Sequence, residues 1–276
     1  MATPEPVEDL VHVGGCVCAA PRRARRAGTR RALPTKLGVW PALALYFLFL
    51  WVEVVFTGAP VPRNIAFIVV LYSLVTWAGM AYYGAETWLR HGEAFSVLFG
   101  IFAKFAPTEV RVTDPEVCED CGSDCRGEDG CVNCYECFEW AEPESRELNV
   151  RPWAVGLVRP ERLSLDRLAF VVFMLAAVTM DGLMDTTAWV RLESYVLPPT
   201  EVHSDWAYMG LQTLGRVLLP LAFLCVYLGF SWAIRALGRS TDRVGTVAVA
   251  FVYSLVPIAL AYQCAHYYTL LLIQGQ

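Results

Sequence analysis

The sequence predicts an all-α protein: a polytopic transmembrane helical bundle of about five spans plus one interfacial helix, with a small Cys-rich cytoplasmic loop inserted after the second span. Three observations predict it. Hydrophobic residues make up 56% of the 276 residues and charged residues only 18%, a balance too apolar for an ordinary soluble domain. The apolar residues gather in runs that approach or exceed the roughly 20 residues a bilayer-crossing helix needs. The cysteines are concentrated instead in one polar stretch, CEDCGSDCRGEDGCVNCYEC, at 118–137.

In chain order, residues 1–36 form an arginine-rich tail whose RRARRAGTRR run (22–31) has no apolar periodicity and is expected to be disordered. It is no signal peptide, because the apolar run after it is too long for an h-region. Residues 37–107 hold the first two spans, LGVWPALALYFLFLWVEVVF (37–56) and NIAFIVVLYSLVTWAGMAYY (64–83), followed by GAETWLRHGEAFSVLFGIFAKFAP (84–107). The apolar part of that last stretch is too short to span and reads as an amphipathic interfacial or re-entrant helix. Residues 108–164 are the Cys-rich loop. Residues 165–276 hold the third to fifth spans, at 168–190, 217–234 and 244–273. Pro220 and Pro257 fall inside these runs, which membrane helices tolerate because neighbouring helices satisfy the freed carbonyls.

Basic residues mark the cytoplasmic side. The tail carries six arginines and Lys36, the 108–164 region and its flanks carry most of the remaining ones, and Arg235, Arg239 and Arg243 lie in the last turn between spans. The 57–63 and 191–206 loops hold one arginine each, Arg63 and Arg191. This places the N-terminus and the Cys-rich loop in the cytoplasm of a multi-pass cell-membrane protein.

A cytoplasmic cysteine cluster sits among reduced thiols, where metal ligation competes better than disulfide formation. The spacing is C-x2-C-x3-C-x5-C-x2-C-x2-C. Cys118/Cys121 and Cys131/Cys134 form two C-x2-C knuckles, and four thiolates from two knuckles suit tetrahedral, structural zinc. Cys125 and Cys137 are alternative ligands; an iron–sulfur cluster and an unmetallated or disulfide-bonded loop stay open beside zinc. Cys225 and Cys264 read as small buried hydrophobes within spans.

Ionisable groups inside spans are costly and mark sites or helix-tying pairs. Glu53 lies about 24 Å up the first span at 1.5 Å per residue. Asp181 and Asp185 lie one turn apart in the third, and His266 lies in the outer half of the last. Asp181, His266 and Glu53 therefore make a candidate catalytic group able to hold a divalent cation, relay a proton or activate water. The alternative is a buried polar network in which Arg216 neutralises one carboxylate. No nucleotide-binding loop, nucleophile elbow or H-E-x-x-H occurs. Nucleic-acid binding has no support beyond the arginine tail, which topology explains better.

Three segments, AGMAYYGAETWLRHGEAFSVLFGIFAKFAP (78–107), LDRLAFVVFMLAAVTMDGLMDTTAW (165–189) and SLVPIALAYQCAHYYTLLLIQGQ (254–276), resemble the prokaryotic multi-pass membrane proteins known as fenitrothion hydrolases. The resemblance covers 37–276 and rests on W-L-R-x-G-E-x-F, D-G-L and A-H-Y…QGQ. It implies an integral membrane protein that hydrolyses an organophosphate ester within a larger assembly, with the lipid bilayer and other membrane subunits as partners. The family pattern has further spans upstream, a histidine where this chain has Gln263, and a continuation beyond QGQ. Two other readings stand beside the hydrolase. One is a non-enzymatic transport or assembly component conducting protons or a cation; the other is a scaffold whose zinc loop binds a cytosolic partner.

Overall fold

The computed structural model describes residue 34 and residues 37–59, 61–114, 116–118, 126–127, 130–158, 164–184, 186–198 and 204–275. The arginine-rich tail lies outside them. The chain is mostly helical and divides into two compact units, one built on Ala103–Arg162 and the other on Val39–Phe102 with Leu163–Gln276.

The helical unit contains α1 (Trp40–Val54), α2 (Pro62–Tyr83), α3 (Ala85–His91), α4 (Ala94–Phe102), α6 (Leu165–Met184), α7 (Thr187–Val196), α8 (Asp205–Leu237), α9 (Val244–Phe251) and α10 (Val256–Gln274). The intervening α5 (Tyr135–Trp140) belongs to the insert. Among the described residues four helical segments are long and apolar enough to cross a membrane: Pro62–Tyr83, Leu165–Met184, Asp205–Leu237 and Val244–Ala265. The first apolar run yields a helix of only 15 residues, about 22 Å long at 1.5 Å per residue. Gly38 enters it at φ 41° and Pro41 stands in its first turn, so the helix starts later than the run of apolar residues.

The third run divides where Thr186 accepts a hydrogen bond from the Trp189 N–H and caps α7, a role suited to threonine at a helix start. The last run is interrupted by a 3₁₀ turn at Val252–Leu255, with Pro257 in the first turn of α10. A proline ring there collides with the carbonyl four residues back and donates no hydrogen bond, so the α-ladder cannot run straight through.

α6 is the central helix. It packs against α1, α7, α8, α9 and α10, and 56% of its most apolar window is buried against 6% for α2 and α8. Its Asp166 carboxylate accepts the Val39 N–H at the entrance to α1. Trp51 Nε1 donates to Thr213 Oγ1 at 2.8 Å, tying α1 to α8.

The WLRHGE stretch proves to be a packing motif. The Trp88 indole fills the space over Gly79 and Gly92, where an added Cβ would lie 2.2 and 2.4 Å from ring atoms. The Glu93 carboxylate accepts the Phe95 N–H at 3.1 Å and the Tyr72 hydroxyl, holding the start of α4 to α2. One face of α4 is buried through Ala94, Val97, Leu98 and Ile101, the one-sided pattern expected of the 84–107 segment.

The insert, a loop in the sequence reading, carries a four-stranded antiparallel sheet. β1 (Thr108–Val112), β2 (Arg126–Gly127), β3 (Gly130–Val132) and β4 (Arg146–Val150) lie in the order β2-β3-β1-β4, and α5 (Tyr135–Trp140) follows β3. The alternation in TEVRV sends Val110 and Val112 to one face and Glu109 and Arg111 to the other. Glu109 is buried between Arg111 (2.8 Å) and Arg151 (3.3 Å), and Arg151 Nε also donates to the Ala106 carbonyl.

Candidate metal centre

Four cysteines meet beneath this sheet. Cys131 is on β3, with Val112 of β1 as its cross-strand partner. Asn133, two residues on, takes a left-handed conformation (φ 53°), which asparagine tolerates better than most residues. Its N–H donates to the Val110 carbonyl at 2.7 Å and its Oδ1 accepts the Val110 N–H at 3.0 Å. This double clasp turns the chain so that Cys134 stands at the N-cap position of α5 and Cys137 follows three residues later. Residues three apart share a helix face. Gly130 makes the preceding hairpin possible: at φ 125°, a Cβ there would lie 2.1 Å from the Val112 carbonyl oxygen.

Cys118 arrives from the opposite side, in the turn that leaves β1. Asp114 shapes that turn, its Oδ1 accepting the Glu116 N–H and its carbonyl accepting the Cys118 N–H. At the far end Arg146 closes α5, donating to the Ala141 carbonyl through Nε and Nη2 and standing 4.9 Å from the Phe138 ring centroid. A cation at a helix C-terminus satisfies carbonyls that have no partner within the helix.

The outcome is a buried thiol cluster. Cys118, Cys131, Cys134 and Cys137 are each no more than 2% exposed. The Sγ atoms of Cys118, Cys131 and Cys137 all lie within 4.8 Å of one another, and Cys134 is packed in the same buried cluster. The six described cysteines are free thiols. Zinc–sulfur bonds of 2.3 Å in a tetrahedron set sulfurs roughly 3.8 Å apart, so small side-chain rotations bring Cys118, Cys131 and Cys137 onto one ion. Burial, and then the hydrogen bond with Cys118, push the Cys131 thiol up to about 12. The Cys137 thiol is raised too, first by its hydrogen bond with Cys134 and then by burial. Crowded, desolvated thiols resist ionising beside one another; a cation in their midst reverses that preference, because a coordinating thiol is deprotonated outright. The cluster can therefore hold a metal ion.

The geometry differs in emphasis from the spacing argument. Cys137, an alternative ligand there, belongs to the central group of three. Cys121 and Cys125 lie outside the described residues. The signal for Cys137 was the repeated C-x2-C-x2-C of 131–137, which places its last two members on one helical turn.

The intramembrane candidates lie elsewhere, in the helical unit. Asp181 Oδ1 is 3.1 Å from Arg216 Nη2, an ion pair joining α6 to α8. Arg216 is 5% exposed and its Nε has no hydrogen-bond partner. A cleft lined by Phe47, Leu50, Phe173, Met180 and Pro220 opens beside it. Glu53 lies near the exposed end of α1. His266 belongs to α10, but its side chain, like all of Asp185, lies outside the described residues. The described side chains thus bring Asp181 together with Arg216. Arg216 entered the sequence reading only as a neutralising partner, on the strength of its position at the start of an apolar run. No family model, curated protein or solved structure matches the chain.

Proposed function

We propose that this chain is a polytopic membrane protein that carries a zinc-folded module on its cytoplasmic side and acts as an assembly component rather than through chemistry at the metal. The observation that carries the reading is the composition of the module's core. Its buried cluster is Val112, Ala141 and the four cysteines, with Val117, Phe138 and Trp140 packed around it. Domains this small rarely close on apolar burial alone and use disulfides or a metal. The thiols are free, and basic loops put them on the reducing side. Four thiolates favour zinc. With Cys134 as the fourth ligand beside Cys118, Cys131 and Cys137 the site leaves no open position to a substrate, so the ion's role is to fold the module. The helices supply the anchor, with Pro62–Tyr83 and Asp205–Leu237 exposing most of their apolar surface, as lipid-facing helices do.

The test is metal analysis of the purified full-length protein. One zinc per chain is expected in the wild type and in His266→Ala, with loss in the Cys118→Ser/Cys131→Ser double variant. Loss in His266→Ala alone would relocate the metal to the helices.

The organophosphate hydrolase implied by the resemblance is the second reading, and one observation favours it. The Asp181 side chain is 21% exposed beside a buried guanidinium with an unpartnered N–H, a pairing of base and oxyanion donor that acyl- and phosphoryl-transfer sites use. It requires phosphotriester cleavage by detergent-purified protein that Asp181→Asn abolishes; an inert wild type removes it.

A further inference from the structure

The two faces of the insert's sheet are unequal, and one of them is uncovered. Register pairs Val110 with Leu148 and Thr108 with Val150, so Leu148 and Val150 share the face on which Val112 caps the thiol core. At the Val112 end that face is buried. Toward the Thr108 end it is not: Leu148 is 73% and Val150 84% exposed. Two further apolar side chains just beyond this strand are exposed: Trp153, 67% exposed with its ring 5.1 Å from that of Phe105, and Val158, 84% exposed. Antiparallel sheets ordinarily bury the apolar face and solvate the polar one. Here the polar face holds the buried Glu109, with its two arginines, while four large apolar side chains stand free.

Their position along the chain identifies the occupant. Thr108, the cross-strand partner of Val150, follows α4 by six residues, and Val158 precedes α6 by seven. A segment of that length reaches at most about 25 Å fully extended. The exposed apolar residues thus lie in sequence next to the two covalent connections of the insert, each only a few residues from an apolar helix. We propose that Leu148, Val150, Trp153 and Val158 form an interfacial foot that enters the headgroup region of the bilayer and seats the metal module on the membrane surface. Tryptophan concentrates at that depth because its ring is apolar and its N–H is polar. The proposal rests on the membrane reading above but not on zinc.

The test uses the full-length protein in nanodiscs of phosphatidylethanolamine and phosphatidylglycerol doped with a diazirine-bearing phospholipid, with labelled peptides mapped by mass spectrometry. Label is expected on the 146–158 peptide as well as on α2, and Leu148→Ser/Val150→Ser/Trp153→Ser should lose the first while keeping the second. A labelled α2 with an unlabelled 146–158 peptide overturns the foot and leaves the membrane reading standing. An unlabelled α2 overturns both. Persistence of the 146–158 label in the triple variant overturns the assignment to these side chains, and crosslinks from the same face to another protein would replace lipid as its occupant.

Discussion

α6 lies at the centre of the helical unit's core and α5 lies beside the insert's, and the two cores bury different chemistry. α6 contributes eleven buried residues, ten of them apolar, to a core shared with five other helices. The core beside α5 has six buried members, and four are cysteines. Removal of apolar surface from water contributes about 25 cal/mol per Å² to a module outside the bilayer, whereas helices in lipid are held by close packing and interhelical hydrogen bonds. A thiol cluster of six small residues has little such area to offer. The comparison teaches that one chain can carry two kinds of folding problem, one solved by composition and the other by a ligand.

The largest expected effect breaks the comparison at the insert. Stripping the metal with a membrane-permeant chelator should make residues 108–158 exchange amide hydrogens and yield to protease, while α6 and α8 stay protected. Structural zinc contributes on the order of 10 kcal/mol to folding small modules, more than the apolar part of this core can replace. Equal protection before and after chelation would show that the thiols pack as an ordinary core.

Next in size is the ion pair inside the helical unit. Arg216→Met leaves Asp181 without its cation and Asp181→Asn leaves a buried guanidinium without its anion. Removing one member of a buried pair costs about 3–5 kcal/mol, and the partial exposure of Asp181 puts this case at the low end. Thermal unfolding in detergent should show both single variants less stable than the Asp181→Asn/Arg216→Met double. Additive losses would mean that the contact contributes nothing specific.

Gly79→Ala should cost about 1–3 kcal/mol, because the new methyl overlaps the Trp88 indole and overpacking forces side chains off their rotamers. Trp88→Phe should recover part of the loss in the double variant, read in the same melts.

The smallest effect is a pH dependence. His91 is 4% exposed and its Nδ1 donates to the Thr87 carbonyl, leaving Nε2 buried with no hydrogen-bond partner. Burial lowers its pKa below 6.5, with Arg90 and Arg167 acting in the same direction and the Thr87 bond and Asp166 opposing. As pH falls from 6.5 toward that depressed value, the unfolded chain takes up a proton that the native one refuses, so stability declines across that window. His91→Gln should flatten the decline, and an unchanged slope would assign it to another group.

Much of this was legible in the sequence, in proportion to how local the determining physics is. Apolar runs with few charges mark α2, α6 and α8 because length and hydropathy are properties of single segments. The interruption at Val252–Leu255 was not marked, because Pro257 was expected to be tolerated within one span, as Pro220 is within α8. Nor was the shortness of α1, because it depends on the positive φ of Gly38 rather than on any change in hydropathy. The knuckle spacing located the thiol cluster but not its membership: Cys137 joins the centre only because Asn133 clasps Val110 and turns the chain into α5. The insert's sheet was hidden by brevity, since a three-residue strand such as β3 has no periodicity to read. Arg216 as the neutraliser of one carboxylate was legible too, but which carboxylate it meets, Asp181, depends on where α6 and α8 pack.

The central claim is that the insert folds around a metal held by these cysteines, and X-ray absorption at the zinc edge of the membrane-reconstituted protein tests it most directly. A shell of sulfur scatterers at about 2.3 Å, lost in Cys118→Ser/Cys131→Ser, is the predicted result. A shell of nitrogen or oxygen alone, or a protein that carries no metal while its thiols remain buried, would contradict it.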